Sequence, residues 1–202
     1  MPQPRKQNNR EVRERVLILC EGETEPIYFS GIKDEKMQTN PPAANRITIH
    51  LTNKNTGREL VKLAKDLKKA SETEQNPYDA VWVVIDKDGY TKHPETFNQA
   101  KDNAFQIAFS SIAFEYWFLL HFTMTTAADS KADNLIKRLK KAGYKEYDKK
   151  GNHYTILKDR TDSAIANARA ARKILDIEDT PIYTRNPYTD VDILVEYLMN
   201  LK

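Results

Sequence analysis

The stretch Val81-Trp-Val-Val-Ile-Asp-Lys-Asp-Gly89 is the part of the sequence that decides the fold. Its five consecutive apolar residues are typical of a strand that is buried on both faces of a parallel sheet. A second run of this kind, Val16-Leu-Ile-Leu-Cys20, stands near the N-terminus and is followed by Glu21-Gly22. Both runs end in acidic residues and a glycine, and together they predict an α/β fold with a parallel sheet.

Helical patterns alternate with strands through the first 125 residues. In chain order we expect a helix capped by Thr24, a strand over 46–51, a helix from Thr56, a helix over 93–103, a strand over 105–109 and an apolar helix over 112–122. Strands and helices that alternate at such short intervals predict right-handed βαβ units, with the helices flanking the sheet.

The character of the chain changes after residue 125. Three helical patterns follow, over 133–142, 162–175 and 190–201, and no clear strand separates the last two. Thr189 and Asp192 have the spacing of a helix N-cap and its partner. We therefore expect a flexible basic N-terminal arm over 1–14, a sheet domain over 15–125, and a helical, basic C-terminal extension packed on it over 126–202.

The composition excludes several classes of protein. Of the 202 residues, 40% are hydrophobic and 30% charged, and no stretch approaches the length of a membrane span. Cys20 is the only cysteine, so neither an intrachain disulfide nor a cysteine zinc cluster is expected. The polar residues 1–15 lack the apolar segment of a signal peptide. We expect a cytoplasmic protein with no membrane partner, and the sequence has no phosphate-binding loop or dinucleotide fingerprint.

Basic residues are concentrated in two zones, although the net charge is only +3. Residues 131–160 contain ten Lys or Arg and four acids, and residues 1–15 contain five and two. This distribution predicts a nucleic-acid partner, RNA or DNA, whose phosphates dock on the basic surface. The alternative is a solvated helix face and a charged tail. The candidate phosphate contacts are Lys158, Arg160, Arg169, Arg172 and Lys173.

The acids that follow the two buried strands are the candidate catalytic and metal-binding residues. They are Glu21, Asp86 and Asp88, although either turn taken alone could be an ordinary polar turn. Ligands of an open parallel sheet bind beyond the carboxyl ends of its strands, so these acids should meet there. Asp86 and Asp88 point the same way along an extended backbone, and Gly89 lets the chain turn away. Crowded carboxylates repel unless a cation neutralises them, which predicts Mg²⁺ or Mn²⁺ at this edge.

Three further residues are candidates for the site. Glu115 stands in a strongly apolar helix, where a carboxylate is unfavourable unless it is paired or binds metal. We expect it to be an auxiliary catalytic ligand, and the alternative is a solvated stripe of the helix. Glu25 and His121 are expected beside the ligands rather than on the metal. The alternative for Glu25 is an acid that stabilises the dipole of its helix. For His121 the alternative, a packed core histidine, is favoured.

Several segments of the sequence resemble a known family. Cys20-Glu-Gly-Glu-Thr-Glu-Pro-Ile-Tyr-Phe29, Val81-Trp-Val-Val-Ile-Asp-Lys-Asp88 and Phe114-Glu-Tyr-Trp-Phe-Leu-Leu-His-Phe122 are similar to motifs of the RloB-like family, and the resemblance extends to Asn186-Pro-Tyr-Thr189. A strand ending in Glu-Gly and a later strand ending in Asp-x-Asp also look like the Toprim domain of topoisomerases, primases and several nucleases. The family commonly has Asn-Pro where this chain has Ser111-Ile112, which leaves the local turn open.

The resemblance implies a Toprim-like fold, metal chemistry and a genomic setting. By position, Glu21 matches the Toprim glutamate, and Asp86 and Asp88 match its aspartate pair. RloB-like proteins are encoded in phage-defence and restriction-modification neighbourhoods, often beside an ATPase, so an ATPase encoded nearby is an expected partner.

Three functions are consistent with these observations. The first is a metal-dependent nuclease for RNA or DNA, the effector of phage defence or abortive infection, with Glu21 as acid/base or ligand and Asp86 and Asp88 as ligands. The second is a non-catalytic Toprim-like module that binds nucleic acid or a partner ATPase, and the third is phosphotransfer or hydrolysis on a small nucleotide. Fold resemblance does not choose among them. The acids favour an enzyme and the basic C-terminal third favours a polymer, while the number of metal ions and the oligomeric state stay open.

Overall fold

A computed structural model describes residues 13–52, 56–87, 92–175 and 180–202. The arm expected over 1–14 lies almost wholly outside these ranges, as do Asp88 and Gly89. Within them the protein forms one sheet of the strands β1 (Val16–Cys20), β2 (Ile47–Leu51), β3 (Ala80–Asp86), β4 (Gln106–Ser111) and β5 (Tyr188–Thr189), in the order β2-β1-β3-β4-β5. The first four strands are parallel and β5 is antiparallel to β4. The predicted α/β fold with a largely parallel sheet is confirmed.

The sheet is covered on both faces because its central strands are apolar throughout. All of β1 is buried, and so are residues 81–85 of β3. Alternate residues of a strand point to opposite faces, so Ile18 and Val84 join one apolar cluster while Leu19 and Val83 join the other. A strand that is covered on both faces requires a continuous apolar run, and β1 and β3 both have one.

Helices pack on both faces of the sheet. The first half of the chain contains α1 (Thr24–Thr39), α2 (Pro41–Ala44), α3 (Gly57–Thr73), α4 (His93–Asp102) and α5 (Glu115–Leu120). Residues of α1 and α5 belong to the cluster around Ile18, and residues of α3 and α4 belong to the cluster around Leu19. The helix predicted from Thr56 is α3, and Thr56 is its N-cap, since its side chain accepts a hydrogen bond from the backbone N–H of Glu59 at 3.3 Å.

Three local predictions differ from the structure. Thr24 does not cap α1: it is the first residue of that helix, and its hydroxyl donates to the carbonyl oxygen of Lys149 at 3.3 Å. The strand expected to end at residue 109 continues to Ser111, because residues 110 and 111 pair with β5. The apolar helix expected over 112–122 is confined to α5, and the Ser111–Ile112 peptide bond that precedes it is cis.

The C-terminal part is mainly helical, as predicted, and it shares a core with the sheet. It contains α6 (Ala132–Ala142), α7 (His153–Leu157), α8 (Thr161–Leu175) and α9 (Val191–Asn200). Leu139, Ala164 and Leu198 belong to the same apolar cluster as α1 and α5. In the described part of the chain, no helix is both long and apolar enough to cross a membrane.

The short strand β5 lies between α8 and α9, where no strand was expected. Its two residues are too few to show the alternating pattern by which a strand is recognised in sequence. It is held at the edge of β4 by side chains as well as by pairing. The hydroxyl oxygens of Ser110 and Thr189 are 3.0 Å apart, and the backbone N–H of Phe109 donates to Oδ1 of Asp190 at 2.6 Å.

Candidate active site

The carboxyl ends of β1 and β3 open onto a cavity of about 430 Å³. Because these strands are adjacent and parallel, the residues that end or follow them lie at the same edge of the sheet. Glu21 follows β1, Asp86 ends β3, Glu25 lies in the first turn of α1 and Glu115 begins α5, and all four side chains line the cavity. The structure thus brings together four of the sequence candidates, which are Glu21, Glu25, Asp86 and Glu115. Asp88 lies outside the described residues.

Asp86 is in an environment that disfavours its charge. Burial raises the pKa of its carboxyl group well above the ordinary value, and the nearby carboxylates of Glu25, Glu115 and Glu21 raise it further. The backbone of Phe114 opposes this effect by hydrogen bonding to the Asp86 carboxylate. Oδ1 of Asp86 is buried and has no hydrogen-bond partner within the described ranges. Such an oxygen atom is available to a cation or a ligand.

Glu25 is buried in the same cavity, with 4% of its surface exposed. Burial raises the pKa of its carboxyl group to about 7, and the charges of Glu115 and Glu21 act in the same direction, while backbone hydrogen bonds from Glu25 and Gly22 partly offset both. The backbone approaches this carboxylate closely: a Cβ atom at Gly22 would lie 2.6 Å from Oε2 of Glu25. A residue larger than glycine at position 22 would therefore displace the Glu25 side chain.

Without metal, the protein is expected to become less stable as pH rises from about 4.5 to about 7, in part because of Glu25. A carboxyl group whose pKa is raised in the folded state keeps its proton to a higher pH there than in the unfolded chain. The stability that it contributes below about pH 4.5 is therefore lost above about pH 7. Glu25→Gln should remove this component, on the order of 3 kcal/mol. Urea unfolding with a chelator at about pH 5 and about pH 8 measures it. The exposed neighbour Glu23→Gln is the control, and an unchanged pH dependence in Glu25→Gln would contradict the burial argument.

Glu115 is held by a tyrosine from the C-terminal part of the chain. Glu115 is 5% exposed, and the hydroxyl of Tyr147 donates a hydrogen bond to its Oε1 atom. The Tyr147 ring stacks on His153 at a centroid distance of 5.4 Å. Nδ1 of His153 is in turn 2.9 Å from the hydroxyl oxygen of Tyr144. Glu115 therefore belongs to a packed polar wall rather than to a solvated stripe of its helix.

Sequence reasoning missed Tyr147 and Lys149, which both contribute to the site. Lys149 lines the cavity, and its carbonyl oxygen accepts the hydrogen bond from Thr24. The available signal was a pair of tyrosines three residues apart, Tyr144 and Tyr147, in an otherwise strongly charged segment. Such a pair predicts a buried apolar side, but nothing in the local pattern indicates which carboxylate it meets.

His121 is a packed core residue and does not line the cavity. Its ring lies against Trp117 and Tyr28, with centroid distances of 4.7 and 6.4 Å. Its Nδ1 atom is 3.0 Å from the carbonyl oxygen of Trp117, and burial lowers the pKa of the imidazole to about 4. The structure therefore brings Glu25, and not His121, to the acidic residues.

The donor chemistry of the cavity fits a hard divalent cation. Its potential ligands are carboxylate oxygens, the type that Mg²⁺ and Mn²⁺ prefer, and a cation would offset the repulsion that raises the pKa of Asp86 and Glu25. Among the residues that the structure describes, however, no three His, Cys, Asp or Glu side chains are arranged as a ready metal site. The residues that would hold the ion are Glu21 and Asp86, together with Asp88 outside the described ranges.

The candidate phosphate contacts lie away from this cavity, and most of them have intramolecular partners. Lys158 pairs with Glu35 at 3.2 Å, Arg169 pairs with Glu196 at 2.6 Å, Arg172 pairs with Asp192, and Arg160 lies 5.0 Å over the Phe122 ring. Lys173 is exposed. Asp192 thus binds Arg172 and does not form the predicted cap with Thr189, because Asp190 occupies the N-cap position of α9.

Comparison with known proteins identifies one family. The sequence model of the family described as "RloB-like protein" matches residues 16–198, which is nearly the whole chain. Comparisons with curated proteins and with solved structures found no match.

Proposed function

Since the chain belongs to the RloB-like family, we propose that it is a Toprim-like, metal-dependent nuclease that hydrolyses phosphodiester bonds in RNA or DNA. One observation carries the proposal. Four carboxylates, those of Glu21, Glu25, Asp86 and Glu115, converge on one cavity at the carboxyl edge of a parallel sheet, and one buried oxygen atom of Asp86 lacks a partner among the described residues.

The residues of the cavity would have different roles in hydrolysis. Glu21, Asp86 and Asp88 would hold Mg²⁺ or Mn²⁺, which when bound polarises a phosphoryl oxygen. Water attacks phosphorus while the Glu21 carboxylate accepts its proton. The bond from phosphorus to the leaving oxygen breaks, and that oxygen takes a proton from solvent water. Glu115 is oriented by the Tyr147 hydroxyl as an auxiliary ligand. Lys149, which lines the cavity, offers a positive charge to the substrate phosphate.

The family supports the biological part of the proposal. RloB-like proteins are encoded in phage-defence and restriction-modification neighbourhoods, so we propose that the nuclease is an effector of defence or abortive infection. We propose that it acts in the cytoplasm. An ATPase encoded nearby is the proposed partner that controls it. The chain itself offers no phosphate-binding loop for nucleotide hydrolysis.

The proposed function is tested by cleavage with purified protein. Pools of RNA, single-stranded DNA and duplex DNA are incubated with Mg²⁺, with Mn²⁺ or with a chelator, and the ends of the products are sequenced. We expect shortening of at least one pool that requires the divalent cation. A protein that binds these pools but cuts none of them with either cation would be a nucleic-acid-binding module and not a nuclease.

A further inference from the structure

A groove of about 570 Å³ runs between α3 and α4, on the face of the sheet opposite α1 and α5. Its α3 wall carries Arg58, Lys62 and Lys65, and its α4 wall carries Lys92, Gln99 and Asn103. We refer to these six residues as the α3–α4 groove. The basic residues of this surface are interspersed with acids along the chain, so no run of positive charge marks it in the sequence.

The cations of the α3–α4 groove differ from those of the C-terminal third in their ion pairing among the described residues. Within the part of the chain that the structure describes, Arg58, Lys62, Lys65 and Lys92 form no ion pair. Glu59 is the one acid among the described residues that line the groove, and its carboxylate accepts a hydrogen bond from the Thr56 hydroxyl at 3.0 Å at the start of the helix. This surface contrasts with the C-terminal third, where Lys158, Arg169 and Arg172 are paired.

The spacing of the cations matches a polymer of phosphates better than an isolated anion. Arg58, Lys62 and Lys65 are four and three residues apart, so they form one stripe along α3 that rises by about 6 Å and then about 4.5 Å. Phosphates of a nucleic-acid strand repeat every few ångströms, about 3.4 Å per nucleotide along a duplex axis. The amides Gln99 and Asn103 on the facing wall provide neutral hydrogen-bonding groups of the kind that contact phosphate and sugar.

The α3–α4 groove leads to the edge of the sheet that carries the acidic cavity. Both of its helices begin at the carboxyl ends of strands, α3 after β2 and α4 after β3. The helix starts are in close contact, since a Cβ atom at Gly57 would lie 2.8 Å from Cγ2 of Thr96. The start of α4 is also tied to the chain next to Asp86, because Nε2 of His93 is 3.2 Å from the carbonyl oxygen of Lys87.

We propose that the α3–α4 groove binds the phosphate backbone of the nucleic-acid substrate and directs the strand towards the acidic cavity. This inference rests on the proposed nuclease function and names the surface that supplies its affinity. It also moves the main phosphate contacts from the C-terminal third to the opposite face of the sheet.

The test compares two variants that each lose three exposed positive charges. The groove variant is Arg58→Gln/Lys62→Gln/Lys65→Gln, and the matched control is Lys137→Gln/Lys140→Gln/Lys141→Gln on the exposed side of α6. Binding of labelled single-stranded RNA and DNA of about 20 nucleotides is measured by fluorescence anisotropy, at several salt concentrations and with a chelator that prevents cleavage. The groove variant should bind at least about tenfold more weakly at low salt, with a salt slope flatter by about two units. The control should retain the wild-type slope.

Each outcome decides the proposal. Equal losses in both variants, a larger loss in the control, or no binding by the wild type would overturn it. Binding to polyglutamate that depends on the groove, without binding to nucleic acid, would assign the surface to an acidic protein and also overturn it. Groove-dependent binding of nucleic acid by a protein that never cleaves would support the groove while contradicting the nuclease function, because the binding assay requires neither metal nor catalysis.

Discussion

Replacing Asp86 with asparagine is expected to abolish metal-dependent cleavage and, at the same time, to stabilise the metal-free protein. The side chain keeps its shape but can no longer ionise, and burial and three neighbouring carboxylates oppose the ionisation of Asp86. We expect cleavage to fall at least about a hundredfold, since a bound metal supplies several kcal/mol of transition-state stabilisation. The melting temperature without metal should nevertheless rise.

The sign of the stability change follows from the raised pKa of Asp86. The folded protein holds the carboxyl proton where the unfolded chain has released it, so the wild type loses stability as pH rises through this range. Asparagine resembles the protonated acid at every pH. The advantage of the variant should therefore be greatest in alkaline solution and disappear in acid, where the carboxyl group is protonated in both folded and unfolded chains.

Added Mn²⁺ should reverse the order of stability. A ligand at about a hundred times its Kd stabilises the folded state by about 2.7 kcal/mol, and the wild type alone should gain this increment in full. Melting curves with and without Mn²⁺ measure both effects, with the exposed acid Glu95→Gln as a charge-matched control. A metal-free Asp86→Asn protein that melts below the wild type, or one whose response to Mn²⁺ is undiminished, would remove Asp86 from the metal site.

Arg172→Ala is expected to destabilise the protein by about 3–5 kcal/mol. The guanidinium group donates to both carboxylate oxygens of Asp192 and to the carbonyl oxygen of Thr189. The side chain of Asp192 is 1% exposed and that of Arg172 is 20% exposed. Removing the arginine leaves a buried carboxylate without its counter-charge, which is the most unfavourable way to break such a pair.

The neighbouring Arg169 is a matched control for Arg172. It lies on the same helix and pairs with Glu196, but both side chains are about half exposed, at 56% and 41%. Arg169→Ala should therefore change the stability by no more than about 1 kcal/mol. Replacing both members of the buried pair, as Arg172→Met/Asp192→Leu, should recover much of the loss. Urea denaturation of the wild type and the three variants measures these values. An Arg172→Ala protein that is as stable as the wild type but binds nucleic acid more weakly would instead favour the phosphate contact predicted from sequence.

The parts of the fold that sequence predicted are those with strong local signals. The continuous apolar runs of β1 and β3 indicate two-sided burial, and adjacent parallel strands then carry Glu21 and Asp86 to one edge. Glu115 was conspicuous because a lone carboxylate in an apolar helix needs a partner. These inferences use the pattern of apolar residues along a strand and the polarity of the residues that follow it. Both can be seen in a short stretch of sequence.

The parts that sequence did not predict depend on contacts between distant segments. The Tyr147 hydroxyl meets Glu115 across 32 residues, and Arg172 meets Asp192 across 20. Counting charges along the chain cannot distinguish a paired arginine from a free one. For this reason the sequence predicts phosphate contacts in the basic C-terminal third and not in α3. Thr24 is in a sequence context typical of a cap, yet its hydroxyl bonds to Lys149, because tertiary contacts override a local preference of about 1 kcal/mol.

The position of β5 has a consequence for aggregation of the chain while it is being synthesised. Residues 109–111 of β4 are covered by residues 188–190, which follow about 80 residues later in the chain. Until that segment has been made, this edge of the sheet presents unpaired backbone groups next to a strongly apolar core, and such an edge is a template for pairing between chains. Residues 188–190 therefore protect this edge of the sheet from pairing with another chain, and replacing them is expected to lower solubility before it affects the acidic cavity.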